Sequence, residues 1–118
     1  MGTTIFSSTY GVNMRTMTLD ELYKKSQSLS EGEVILDVRR EDEFNEGHIE
    51  GAINISHDEV AYHLDDLKKY SYIYIHCKRG GRAKTAYDAL TSEGFENISV
   101  LMDGGTDAWI EAGHPLKK

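Results

Sequence analysis

The stretch IYIHCKRGGRAKTAYDAL, residues 73–90, gives the clearest indication of the fold in this chain of 118 residues. An apolar run rich in strand-forming residues ends at Cys77, which is the only cysteine of the chain. A basic, glycine-rich loop follows at once, and apolar residues between Ala83 and Leu90 then recur with the spacing of one helix face. A buried strand, a tight loop and an amphipathic helix in this order indicate a unit of an α/β fold.

Similar apolar runs occur elsewhere in the chain and predict further strands. They are Val34 to Val38, Ala52 to Ile55, Tyr72 to Cys77, and Ile98 to Met102, with a brief one near Met14 to Met17. Runs that are apolar on both faces, alternating with amphipathic helices, are typical of a parallel sheet covered on both sides.

The helix patterns lie between these runs. Thr18 and Glu21 form a capping-box pattern ahead of an apolar face that reaches Leu29. Further helices are predicted within residues 58–69, from about Arg82 to a stop at Gly94, and from Thr106 to Ala112.

Polar or reactive residues follow three of the predicted strands. They are the segment Asp37-Val38-Arg39, Cys77 and Asp103. Ligands of parallel α/β sheets bind beyond the carboxyl ends of the strands. We therefore expect these three strand ends to lie near one another around a site.

The loop after Cys77 has the composition of an anion-binding turn. Gly80 and Gly81 allow backbone angles that other residues resist, so that several N–H groups can point toward one spot. Such amides and nearby cations favour a thiolate, which would make Cys77 a nucleophile beside an anion site. The alternative is a buried, inert cysteine, the common role of a lone cysteine at a strand end.

The charge of the chain narrows the class of ligand. Thirteen basic and twenty acidic residues give a net charge of -7, which argues against a general nucleic-acid surface. Residues 77–84 nevertheless hold four basic residues and no acidic one. This basic island predicts a small anionic ligand, although a solvated basic loop is the simpler alternative.

Several other classes are excluded by the residue pattern. A single cysteine cannot form an internal disulfide or a Cys-x-x-Cys pair, and the five histidines form no metal-binding motif, so we expect no metal and no cofactor. No apolar run approaches the roughly 18 residues of a membrane span, and the N-terminus lacks a secretory signal pattern. These features predict a protein of a reducing, cytoplasmic compartment that does not bind a membrane.

Four sequence blocks together resemble a single-domain rhodanese. They are VILDVRREDEFNEGHIEGAINI (34–55), YIYIHCKRGGRA (72–83), the helix that leads to EGF (93–95), and LMDGGTDAWIEAGHPL (101–116). The resemblance implies a three-layer α/β/α rhodanese-like domain with a five-stranded parallel sheet. It would occupy residues 13–118, after a flexible N-terminal segment at 1–12.

The resemblance also implies a sulfurtransferase activity centred on Cys77. In this family the matching cysteine takes a sulfane sulfur from a small anionic donor as a persulfide, then passes it to cyanide, a thiol or an acceptor protein. The rest of the family's six-residue loop is matched in this sequence by Lys78, Arg79, Gly80, Gly81 and Arg82. The two basic residues directly after the cysteine resemble members that use thiosulfate. Lys78 and Arg79 would bind the donor's oxyanion, while Arg82 would brace the loop or bind anions.

Other residues match the family in supporting positions. Asp37 and Arg39 match a DVR motif, in which Asp37 either orients the loop or serves as scaffold, and scaffold is favoured. Arg39 is expected to pair with a carboxylate such as Glu43. His48 is expected to be a structural hydrogen-bonding residue, and Trp109 a core residue.

Two other functions remain open. A cysteine-dependent phosphatase or arsenate reductase also has His-Cys followed by arginine, but with five residues between the cysteine and the arginine. Here four residues separate Cys77 from Arg82, which favours a tighter cradle. The domain could instead be a non-catalytic sulfur-carrier, interaction or redox-sensing module, since a reactive thiolate is readily oxidised.

Overall fold

Five parallel strands form one sheet in residues 14–118, the part of the chain that this computed structural model describes. They are β1 (Thr16–Met17), β2 (Glu33–Asp37), β3 (Ile53–Asn54), β4 (Tyr72–His76) and β5 (Ile98–Leu101). Their order across the sheet is β1-β5-β4-β2-β3. The predicted five-stranded parallel sheet is thus confirmed, whereas the flexible segment predicted at residues 1–12 lies outside the described residues.

The two central strands fix where a site can form. β2 and β4 pair in register from Glu33 opposite Tyr72 to Asp37 opposite His76. Asp37 and His76 therefore end their strands at the same level, and Cys77 follows directly beyond that edge.

Five α-helices and one 3-10 turn connect the strands in the described residues. They are α1 (Leu19–Ser26), α2 (Glu41–Glu46), the 3-10 turn (Val60–Tyr62), α3 (Leu64–Leu67), α4 (Gly81–Ser92) and α5 (Thr106–Glu111). The capping box of α1 is confirmed, because the Glu21 N–H donates to Thr18 Oγ1 over 3.1 Å and the Thr18 N–H donates to Glu21 Oε1 over 2.8 Å.

The structure corrects one helix prediction and adds one helix that was not predicted. The single helix expected within residues 58–69 is interrupted at His63, whose φ of -122° and ψ of 26° lie outside the helical range. Val60 and Leu67 are still fully buried, so the apolar residues that suggested one helix reach the core from two short turns. Sequence analysis also missed α2, because EDEFNE has no apolar stripe.

Two apolar clusters cover the two faces of the sheet and make the fold three-layered. Cys77 belongs to the cluster that packs under α4 with Ile75 and Ala83. Trp109 belongs to the opposite cluster and is buried, with Nε1 donating to the Pro115 carbonyl over 2.9 Å, so its predicted core role is confirmed. None of the helices in residues 14–118 combines the length and the hydropathy needed to cross a membrane.

Candidate active site

The Cys77 sulfur accepts hydrogen bonds from two backbone N–H groups at the start of α4. Sγ accepts hydrogen bonds from the N–H of Gly80 over 3.0 Å and of Ala83 over 3.3 Å. Cys77 is only 1% exposed, because the loop curls tightly around it. Two N–H dipoles directed at one sulfur stabilise negative charge there. This arrangement favours Cys77 as a thiolate.

Two glycines allow the loop to approach a second chain segment. Gly80 has a φ of +121°, and a Cβ on it would overlap the Met102 carbonyl oxygen. Gly105 has a φ of +70°, and a Cβ there would overlap the Cys77 carbonyl oxygen. Gly81 has no positive φ and open space where a Cβ would lie. The loop conformation therefore depends on Gly80 and Gly105, and the importance of Gly105 was missed by sequence analysis.

The segment from Gly104 to Asp107 holds the loop through its backbone. The Thr106 N–H donates to the Cys77 carbonyl over 2.9 Å, and the Asp107 N–H donates to the Lys78 carbonyl over 3.2 Å. The end of β5 thus lies beside the end of β4, as predicted from the strand ends. Asp103, which suggested this proximity, is itself exposed, and the contacts come from the residues after it.

The two cations after Cys77 share one carboxylate. Arg79 Nε lies 3.0 Å from Asp107 Oδ2, and Lys78 Nζ lies 3.4 Å from Asp107 Oδ1. The hydrogen bond from Arg79 lowers the pKa of Asp107 below its ordinary value, and Lys78 acts in the same direction. Asp107 was not predicted from the sequence, because its pairing with Arg79 depends on a contact between residues that are 28 positions apart.

Arg82 is also paired in this structure. Its Nη1 lies 2.7 Å from Glu43 Oε1 and its Nη2 lies 3.2 Å from Glu43 Oε2. The hydrogen bond from Arg82 is the main cause that lowers the pKa of Glu43 from 4.5 to about 2. Arg39 pairs with a carboxylate as predicted, but the partner is Asp37 rather than Glu43. Glu43 lies on α2, the helix that the sequence pattern did not predict, and there it pairs with Arg82 at the start of α4.

Arg39 pairs with Asp37 beneath the loop. Arg39 Nη2 donates to Asp37 Oδ2 over 2.7 Å and to the Gly47 carbonyl over 2.8 Å, and both charged side chains are buried. The hydrogen bonds that the structure gives the Asp37 carboxylate all come from Arg39. This geometry favours the scaffold role of Asp37 over direct orientation of the loop.

Two histidines lie near this scaffold. His48 stacks on Phe44 with ring centroids 3.8 Å apart, and its Nδ1 bonds the Phe44 carbonyl over 2.9 Å, which confirms its structural role. His76 is fully buried, with Nε2 lying 3.8 Å from Asp37 Oδ2. Burial lowers the pKa of His76 below its ordinary value of 6.5, although the Asp37 charge opposes this effect.

A groove beside the loop offers room for a small ligand. Its volume is about 400 Å³, which is within the range of small-molecule sites. Its lining residues include Arg40, Glu43, Lys78, Asp107 and Ile110, but not Cys77 itself. The carboxylate that the two loop cations share therefore borders this groove.

Comparisons with known proteins agree with this fold. Residues 18–112 match the model of the Rhodanese-like domain family. Thiosulfate sulfurtransferase GlpE of Shewanella oneidensis is 33% identical over 78 residues, which cover 66% of this chain and 76% of that protein.

Two further matches extend the comparison. The mitochondrial Protein HIGH ARSENIC CONTENT 1 of Arabidopsis thaliana is 31% identical over 105 residues, which cover 79% of this chain and 62% of that protein. The chain thus spans less than two thirds of that plant protein. The crystal structure of a rhodanese-related protein from Thermoplasma volcanium superposes with a TM-score of 0.75 at 29% identity, covering 87% of this chain and 97% of that one. The chain therefore belongs to the rhodanese-like domain family.

Proposed function

We propose that this protein is a sulfurtransferase in which Cys77 carries the transferred sulfur as a persulfide. The observation that carries the proposal is the pair of hydrogen bonds from the Gly80 and Ala83 N–H groups to Cys77 Sγ. These amides stabilise Sγ as a thiolate, both as the nucleophile that takes up the sulfur and as the leaving group that releases it. The membership of the family and the name of the Shewanella relative support the same class of reaction.

The first step loads Cys77 from a small anionic donor such as thiosulfate. The Cys77 thiolate attacks the outer sulfur, a new S–S bond forms, and the S–S bond of the donor breaks. The bonding electrons leave with sulfite, so the persulfide keeps one negative charge. That charge lies on the outer sulfur, next to a loop whose backbone is held by the Gly104 to Asp107 segment.

The second step returns Cys77 to its starting state. A thiol, a protein thiol or cyanide attacks the terminal sulfur, and the S–S bond electrons return to Cys77 as a thiolate. No second cysteine exists in the chain, so the acceptor comes from outside. A cytoplasmic, reducing location, in which Cys77 remains a free thiol between turnovers, is part of the proposal.

The remaining loop residues have distinct proposed roles. Gly80 gives the loop its conformation and donates to the sulfur, and Gly81 begins α4. Lys78 and Arg79 attract the anionic donor from positions next to the groove. Arg82, held by Glu43, braces the start of α4.

Thiocyanate formation from thiosulfate and cyanide tests the proposal. The proposed two-step reaction predicts parallel lines in double-reciprocal plots, because the donor product leaves before the acceptor binds. Cys77→Ser is expected to form no thiocyanate. Turnover of a phosphate ester or of arsenate by the wild type, without thiocyanate formation, would instead support the phosphatase or arsenate reductase alternative.

A further inference from the structure

The two cations directly after Cys77 in the sequence pair with one carboxylate that the sequence pattern did not predict. Asp107 contacts Lys78 over 3.4 Å and Arg79 over 3.0 Å. Its position does not depend on those side chains alone, because its own N–H donates to the Lys78 carbonyl over 3.2 Å. The carboxylate therefore stays beside the loop even when an exposed ion pair opens.

The local charge is consequently much smaller than the loop sequence indicates. Three loop cations, Lys78, Arg79 and Arg82, face two carboxylates, Asp107 and Glu43, so that three minus two leaves one positive charge. The basic island predicted from the sequence is thus largely neutralised within the folded domain. Each positive charge that a carboxylate offsets weakens the attraction of a dianion twice as much as that of a monoanion, so the pairing lowers the electrostatic advantage of a dianionic donor.

We propose that Asp107 is a specificity-determining residue, which shifts the donor specificity of the loop away from the thiosulfate dianion and toward monoanionic sulfonyl sulfur donors. This inference rests on the proposed sulfur transfer. The monoanionic class is that of alkylthiosulfonates, in which an alkyl group replaces one charged oxygen of thiosulfate. Attack by the Cys77 thiolate on the outer sulfur again forms an S–S bond and breaks one. The electron pair then leaves with a sulfinate in place of sulfite.

Asp107 is better placed for this role than Glu43. The Glu43 side chain is only 16% exposed and also accepts the N–H of Arg40 at the start of α2, so it is part of the fold. The Asp107 side chain is 42% exposed and lines the groove beside the loop. Its charge therefore acts on an approaching donor, and removing that charge leaves the core intact.

Rates of persulfide formation with two donors test the proposal. Thiosulfate and methanethiosulfonate offer the same outer sulfur but carry two charges and one charge, respectively. For Asp107→Asn at low ionic strength, the rate ratio of thiosulfate to methanethiosulfonate is expected to rise about five-fold, the order that one surface charge gives. The rise is expected to shrink at about 0.5 M salt, where charges are screened within a few ångströms.

Asp88→Asn is the matched control. Asp88 lies 2.7 Å from Lys84 in an exposed pair on α4, and its replacement changes the net charge equally. This variant is expected to keep the wild-type ratio of the two donors. Thermal unfolding of both variants checks that each is folded at the assay temperature.

The outcomes separate this inference from the proposed function. A ratio that is unchanged in Asp107→Asn, that moves toward methanethiosulfonate, or that shifts equally in Asp88→Asn overturns the role of Asp107 while leaving sulfur transfer in place. Failure of both donors to load wild-type Cys77 overturns the proposed function, and the inference with it.

Discussion

Arg82 and Glu43 join the start of α4 to the start of α2 through two hydrogen bonds of 2.7 and 3.2 Å. Glu43 Oε1 also accepts the N–H of Arg40 over 2.9 Å. One carboxylate therefore caps the N-terminus of α2 and binds a side chain of α4. Arg82 thus braces the helix whose N-terminal turn donates the Ala83 N–H to Cys77 Sγ. Of the two roles predicted for Arg82, bracing and anion binding, this contact favours bracing.

Glu43→Gln is expected to destabilise the fold by roughly 1–3 kcal/mol, because hydrogen bonds that involve a charged group contribute about that much. The free energy of unfolding from urea titrations measures the effect. Glu46→Gln, an exposed position on the same helix, is the control and is expected to cost less than about 0.5 kcal/mol. Equal stability of the two variants would show that the Arg82 contact contributes nothing.

Asp37→Asn is expected to lower the free energy of unfolding more than Asp42→Asn does. Asp37 and Arg39 form a buried pair, and removing one charge from such a pair costs about 3–5 kcal/mol. Asp42→Asn breaks the pair with Arg40, whose side chains are 63% and 67% exposed, and is expected to cost less than about 1 kcal/mol. Comparable urea midpoints for both variants would contradict the scaffold role of Asp37.

Gly80→Ala and Gly81→Ala test the conformation of the loop at neighbouring positions. Alanine at Gly80 meets the Met102 carbonyl at a φ of +121°, so we expect a loss of about 2 kcal/mol or more. Alanine at Gly81 meets open space at the start of a helix, and we expect a change of no more than about 0.5 kcal/mol. Thermal unfolding measures both, and equal losses would mean that the loop does not depend on Gly80.

The stability of the domain is expected to fall in acid for two reasons with the same sign. Burial lowers the pKa of His76 in the folded state, so below its ordinary value of 6.5 the unfolded chain takes up the proton and is favoured. The lowered pKa of Glu43 adds stability above 4.5, which is lost as the pH falls toward about 2. Urea titrations at a series of pH values measure the change.

His76→Gln separates the two contributions to the pH dependence. In this variant, the loss of stability that begins near pH 6.5, the ordinary pKa of histidine, is expected to disappear. The loss of stability below pH 4.5, which is due to Glu43, is expected to remain. A wild-type stability that stays constant or rises as the pH falls from about 7 to about 5 would contradict the assignment to His76.

Much of the fold follows from local patterns in the sequence. Runs that are apolar on both faces predict β2, β4 and β5, and the strand-loop-helix pattern around Cys77 predicts the loop at the start of α4. Such features depend on residues close together in the chain, so their physical causes are visible in the sequence alone.

The features that were missed depend on contacts between distant segments. α2 is polar and is held by its first turn and by Arg82, so no apolar stripe reveals it. Asp107 reaches the loop only because β5 lies next to β4 in the sheet. The requirement for glycine at Gly105 arises from the close approach of the Cys77 carbonyl. Sequence patterns identify the loop itself, but its partners become visible only after the strands are ordered.

Intact-mass spectrometry of the protein after incubation with thiosulfate detects a persulfide on Cys77. We predict that the wild type gains one sulfur atom, that Cys77→Ser gains none, and that cyanide removes the added sulfur as thiocyanate. A wild-type mass that stays unchanged with thiosulfate and with methanethiosulfonate, or an added sulfur that persists in Cys77→Ser, would contradict this prediction.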